Sequence, residues 1–361
     1  MAITLSTQQW NDLLGYPESR WGHPPGDRWL SLCNQLQTYA APVCSFAINA
    51  ERKWELVSAL QKSIRRGEKQ VALKMVSAMN SMPEESAYFW RRLCVIACED
   101  VGPADDVLVA FVVACATSGA ARKNNYDFWC FLVEQMCDLV TRSHIYCSFS
   151  IVETAAIKAQ LPELSMEEAR VASAIAKRRS SIACPSSPWQ LWQKKNDWRA
   201  EGLLKFLDLR LSGDMTLSGL PVPSYKLFFE LPSYAFDMHT RPGLIVLKRL
   251  FMGIDGSTEI RDLIQAHRVD NPTKALGEAL FFVEGARIRN ELIYPTLSCL
   301  EQRVLAQQYG FSLECWQYLC SLVEAGLRNG LLDQIREEVL MKVYGNCPTD
   351  CATEKGLFDA I

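Results

Sequence analysis

Ten consecutive residues in the first half of this chain, Val107–Ala116, carry no polar side chain. Asp105 and Asp106 precede them, and Thr117, Ser118 and Gly119 follow. Pro103 suits the first turn of a helix, where its missing N–H leaves no bond unmade. A helix that is apolar around its whole circumference needs neighbours on every side, so it belongs at the centre of a bundle. At ten residues it is also far short of the roughly 20 that a membrane span requires. The run therefore predicts packed helices with this one in the middle.

The flanking sequence supplies those neighbours. Trp54, Val57, Leu60 and Ile64 recur at helical spacing on one face, with Gln61, Lys62 and Arg65 opposite. Gly67 is placed to end that helix. Ala72, Met75, Val76 and Met79 form the stripe of a second helix. Ser81-Met82-Pro83-Glu84-Glu85 is a start signal for a third, which aligns Phe89, Leu93 and Ile96. Further helical pattern covers Asp127–Val140, Ile151–Ala159 and Met166–Lys177.

A connection is expected near 180–188, where Arg178-Arg179-Ser180-Ser181 meets Cys184-Pro185-Ser186-Ser187-Pro188. Beyond it, a Trp-rich helix is predicted over Trp189–Leu209, then an irregular stretch over 212–236 with room for a short hairpin. Helical pattern returns at Leu244–Phe251, Thr258–His267, Pro272–Phe282, Leu300–Tyr309, Leu313–Arg328 and Leu331–Tyr344. No strand alternation is strong enough for a large sheet. The expected architecture is all-α: a loop-rich segment over 1–48 pinned by Trp10, Trp21 and Trp29, a helical domain over 49–183, a second mostly helical domain over 184–345, and a tail over 346–361.

Hydrophobic residues make up 49% and charged residues 22%, which is globular rather than disordered. The formal net charge of −3 gives no overall pull toward nucleic acid, so any such contact must be local. Met1–Trp10 is polar and lacks the basic-then-apolar order of a secretory leader. The fourteen cysteines are therefore expected as reduced thiols of a cytoplasmic protein rather than as a disulfide framework.

Two stretches carry a resemblance. Ser58-Ala59-Leu60-Gln61-Lys62-Ser63-Ile64-Arg65-Arg66-Gly67 and Arg91-Arg92-Leu93-Cys94-Val95-Ile96-Ala97-Cys98-Glu99-Asp100-Val101-Gly102 occur in that order. They resemble the "SALHKSIRGSD" and "ARRL…ASEDIG" helices of the RarA/MgsA family, clamp-loader-related AAA+ proteins of replication and recombination. The resemblance covers roughly residues 50–155. It implies a clamp-loader-collar-like bundle and a homo-oligomer, in that family a tetramer. It also implies that Glu99-Asp100 is a structural turn rather than a metal-binding acid pair. Cys94 and Cys98 stand where the family has small residues or Ser. No G-x-x-x-x-G-K-[S/T] loop occurs in the chain, so neither a nucleotide nor any other cofactor is expected.

Candidate binding residues are of two kinds. Lys62, Arg65 and Arg66 cluster at one helix end with Arg91 and Arg92 on a neighbouring helix, and Arg287 and Arg289 alternate further on. On a shared face they would track phosphates; the helix dipole alone also favours cations at helix ends. Asp237-Met238-His239-Thr240-Arg241 is the densest polar cluster of the second half. Asp237 could orient His239 as in an acid–base pair, or the segment could cap the following helix. No nucleophile elbow stands nearby, and no catalytic residue is assigned. The close pairs Cys94/Cys98, Cys315/Cys320 and Cys347/Cys351 lack a matched C-x2-C partner and read as packing, with no metal site. Indoles at Trp189, Trp192 and Trp198 read as core or interface rather than base-stacking platforms.

The function expected is non-enzymatic: an oligomerising protein of DNA replication or recombination that docks on DNA or on a replication partner. The other reading is a mobile-element inhibitor or adaptor that binds a host protein through the collar-like fold without touching DNA. An enzyme centred on Asp237, His239 and Arg241 is the third.

Overall fold

The computed structural model describes residues 27–117, 119–123, 125–181, 215–253 and 257–345. The chain is predominantly helical, as expected. Trp10, Trp21, the Trp189–Leu209 helix and the Cys347/Cys351 pair lie outside the described residues.

Helix α1 (Asp27–Thr38) rests on the central helix, with Trp29 meeting Phe111 edge-on at 5.0 Å. Helices α2 (Lys53–Arg66) and α3 (Lys69–Asn80) form a helical hairpin. Gly67 ends α2 in the left-handed region at φ 72°, and its N–H and that of Glu68 close on Ile64 and Ser63. A side chain on Gly67 would also strike Arg142, so this end is fixed by conformation and by space. Helix α4 (Ser86–Ile96) runs into a wide turn at Ala97–Val101. Then come α5 (Asp106–Thr117), α6 (Gly119–Lys123) and α7 (Asn125–Cys137).

Leu108 through Ala116 on α5 are all buried, which is what an apolar circumference demands. They share one core with Leu56, Leu60 and Ile64 of α2, Met75 of α3 and Trp129 of α7. Cys94, Cys98, Cys115, Cys130 and Cys137 are buried in the same core, as small apolar side chains are.

Helices α8 (Ile145–Ile157) and α9 (Met166–Ser181) complete the first half. Helix α8 begins six residues earlier than its periodicity suggests, because Ser148 turns inward to a partner on a later helix and breaks the apolar count. After residue 214 a three-residue strand β1 (Thr216–Ser218) and a hairpin of β2 (Leu227–Phe228) and β3 (Leu231–Pro232) precede α10 (Arg241–Phe251). Phe229 and Glu230 both take positive φ, the conformation a two-residue hairpin turn demands. Helices α11 (Thr258–Ala266) and α12 (Pro272–Leu280) follow, then a wide turn at Phe281–Gly285 and strand β4 (Glu291–Ile293). The described chain closes with α13 (Pro295–Gln308), α14 (Leu313–Arg328) and α15 (Leu331–Tyr344). Pro295 occupies the first turn of α13, so that helix starts a turn before its apolar stripe.

The two halves share their packing. Phe228, Leu231, Phe236 and Leu340 belong to the core around α5, and α8 and α9 form a separate small core with Leu297, Leu300 and Val304 of α13. A second large core joins α10, α11, α12, α14 and α15. Strand β1 pairs antiparallel with β4, and Leu292 N–H donates to the Arg142 carbonyl across the halves.

Candidate functional site

The apolar stripe of α2 faces α3 and α7, and its polar face should meet water. It meets the second half instead. The turn at Ser233–Ala235, Asp237 and the wide turn at Phe281–Gly285 lie against it, and Lys62, Arg65 and Arg66 are 3%, 0% and 2% exposed. The expectation that these three cations share a solvated, phosphate-tracking face is therefore corrected. Their counter-charges come from the same chain.

Lys62 is fully engaged, and each arginine is held by two partners of this chain while Arg65 Nη2 and Arg66 Nε stay unbonded. Lys62 Nζ donates to Asp237 Oδ2 at 2.7 Å, to Ser58 Oγ at 2.8 Å and to the Tyr234 carbonyl at 2.5 Å, which uses all three ammonium protons. Arg65 Nε donates to Asp100 Oδ1 at 2.5 Å, and its Nη1 donates to the Gly285 carbonyl. Arg66 donates to the carbonyls of Pro223 and Glu284 at 2.8 and 3.2 Å and lies 4.1 Å over the Tyr234 ring. The Glu284 carboxylate in turn takes Arg336 of α15 through two bonds of 2.5 and 3.0 Å. The Tyr234 hydroxyl donates to Glu68 at the end of α2. Five elements are thus fastened by one buried seam of charge.

Asp237 and His239 do come together. Asp237 Oδ1 accepts the His239 backbone N–H and Oδ2 lies 3.0 Å from His239 Nδ1. Thr240 caps α10 by accepting the Gly243 N–H. A Cβ on Gly243 would lie 1.8 Å from the Asp237 carbonyl oxygen, so the turn is packed to its limit. Asp237 is buried and already committed to Lys62, whereas the His239 side chain is 60% exposed. Burial pushes the Asp237 carboxyl up, but Lys62 and His239 outweigh it and hold it below the usual carboxylate range. Burial likewise raises Glu284, and Arg336, Arg66 and Lys62 more than offset that. These are counter-ions, charged at neutral pH.

The remaining candidates disperse. Arg91 is exposed on α4, and Arg92 beside it bonds Gln61 at 2.7 Å. Arg241 is exposed at the start of α10. Arg287 bonds the Val283 carbonyl and lies 5.6 Å from the Phe282 ring, and Arg289 is exposed with Glu68 in electrostatic reach.

A second polar cluster had no sequence signal beyond isolated acids in apolar helices. Burial pushes Glu301 up to about 7 against the Ser148 hydroxyl that donates to it at 2.6 Å. Burial also pushes Glu291 up to about 7 and Asp100 up to about 6, in each case against Arg65. His144 is buried there with Nε2 unbonded, and burial and Arg65 push its pKa well down. Glu99-Asp100 lies in the wide turn after α4, with Asp100 buried and bonded by Gln61 as well as Arg65. Among the described residues no group of His, Cys, Asp and Glu is disposed to hold a metal ion. No described helix is long and apolar enough to cross a membrane.

Comparison of the chain with protein-family models, with curated proteins and with solved structures gave no match.

Proposed function

We propose that the chain is a non-enzymatic assembly and docking protein of DNA replication or recombination, with a clamp-loader-collar-like first half. The observation that carries this reading is the buried seam on α2. The residues best suited to chemistry spend their charges inside the fold, Lys62 on Asp237, Arg65 on Asp100 and Glu284 on Arg336. A buried ion pair contributes fixed geometry more than stability, and its cost is tolerated where a rigid relative placement of parts matters. Rigid placement of two helical layers is what a scaffold needs. The resemblance of the α2 and α4 sequences to the RarA/MgsA helices supplies the process and the expectation of a homo-oligomer.

The test is purification of the tagged protein from its native cell, with and without nuclease, and light scattering on the product. Replication or recombination proteins that stay bound after nuclease support the docking reading, and partners lost with nuclease point to DNA as the ligand. A stable partner from an unrelated process, with no affinity for nucleic acid, would replace this reading with that of a host-protein inhibitor or adaptor.

A further inference from the structure

The structure points to a specific ligand surface at the N-terminal ends of α2 and α4, outside the seam. Trp54, in the first turn of α2, is 56% exposed despite sitting on that helix's apolar stripe. Its ring meets Tyr88, in the first turn of α4, edge-on at 5.8 Å. Lys53 Nζ lies 5.7 Å from the Trp54 ring and 5.1 Å from the Tyr88 ring. Arg92, Lys53, Glu85 and Arg91 all lie within electrostatic reach of the Tyr88 hydroxyl, three cations to one acid. Glu85 is paired to Lys53 at 2.6 Å, while Arg91 is exposed. Both helices also present their N-termini here, where the backbone dipole favours negative charge. Glu51 and Glu84 are exposed on the turns before the two helices, so the cation this end offers a ligand is the exposed Arg91 on α4.

We propose that Trp54, Tyr88, Lys53 and Arg91 form a binding surface for single-stranded nucleic acid, with a base stacked on Trp54 and the adjoining phosphate held by Arg91. An exposed indole supplies a stacking platform that any base can use, and neighbouring cations supply the backbone contact. An aliphatic partner would make no use of the exposed Arg91 guanidinium, and a duplex keeps its bases out of reach of the ring. The assignment rests on the proposed function and adds to it the strand state of the ligand and the face that takes it.

The experiment is fluorescence anisotropy of a labelled oligothymidylate against the full chain and its Trp54→Ala and Arg91→Gln variants over a salt series. Urea unfolding of each variant confirms that the fold is kept. Loss of the stacked base should weaken binding by roughly 5- to 150-fold. Loss of Arg91 should reduce the logarithmic salt slope by about 0.7. Oligothymidylate binding that is equal in all three proteins overturns this face while leaving nucleic-acid docking, and so the proposed function, in place. Absence of any oligothymidylate binding overturns the inference too; nuclease-resistant replication partners in the native purification would then show that the proposed function survives it. Trp54→Ala that abolishes capture of an acidic protein partner, with oligothymidylate unaffected, overturns it in favour of a protein ligand.

Discussion

Lys62 Nζ lies 2.7 Å from Asp237 Oδ2, an ion pair closed across 175 residues of sequence with both side chains almost wholly out of water. Removing one member leaves the other charge buried and uncompensated. Lys62→Met should therefore lower stability by about 3–5 kcal/mol in urea unfolding. Adding Asp237→Asn, which keeps the acceptor for the His239 N–H, should cost less than the sum of the two single changes. Strict additivity in that cycle would mean that the pair does not act as a unit.

His239 is the exposed member of the same cluster. Its ring can leave without unseating Asp237 from Lys62, so His239→Ala should change stability by less than about 1 kcal/mol. Any activity of this chain that vanished in that folded variant would revive the enzyme reading centred on Asp237, His239 and Arg241.

Glu301 predicts a pH dependence of definite sign. Its carboxyl titrates near 4.5 as an ordinary Glu and at about 7 in the folded chain, so the folded state holds the proton more tightly. The stability that this provides is complete below about pH 4.5 and gone above about pH 7, falling by about 1.4 kcal/mol per pH unit between. Glu301→Gln keeps the acceptor for Ser148 and removes the titration. The variant should match the parent near pH 4.5 and exceed it at pH 8, read as the difference in urea midpoints. An identical pH profile in the two proteins would show that Glu301 titrates normally.

A chain ending at Ala183 should not give a cooperative unfolding transition. It would lose Phe228, Leu231, Phe236 and Leu340 from the core around α5 and expose Lys62, Arg65 and Arg66 without their acceptors. Circular dichroism over a urea series decides this; a sharp transition would make the first half an independent domain.

The parts of this fold that were legible in the sequence are those set by local chemistry. The apolar circumference of Val107–Ala116 placed α5 at the centre, and Gly67 marked the end of α2. What periodicity could not reveal is what covers a polar face. Gln61, Lys62 and Arg65 read as solvated because a moment distinguishes apolar from polar, not dry from wet. Glu284 and Arg336 meet across 52 residues on elements with no local reason to pair. Ser148 hid the first turns of α8 for the same reason, since its partner Glu301 lies on α13. Trp54 erred in the other direction: it counted toward the buried stripe yet stands in water.

The long reach between Lys62 and Asp237 also sets a clock. A ribosome adding about 5–20 residues per second needs roughly 9–35 s to make the 175 residues that separate them. Through that interval α2 is already synthesised and its ammonium and guanidinium groups have no native acceptor in the second half. A nascent chain must spend those seconds with its brightest positive charges in water, open to whatever anion is near. Refolding from denaturant presents both partners at once and skips the wait. The two routes should differ in rate and in yield, and polyanions should perturb the first far more than the second.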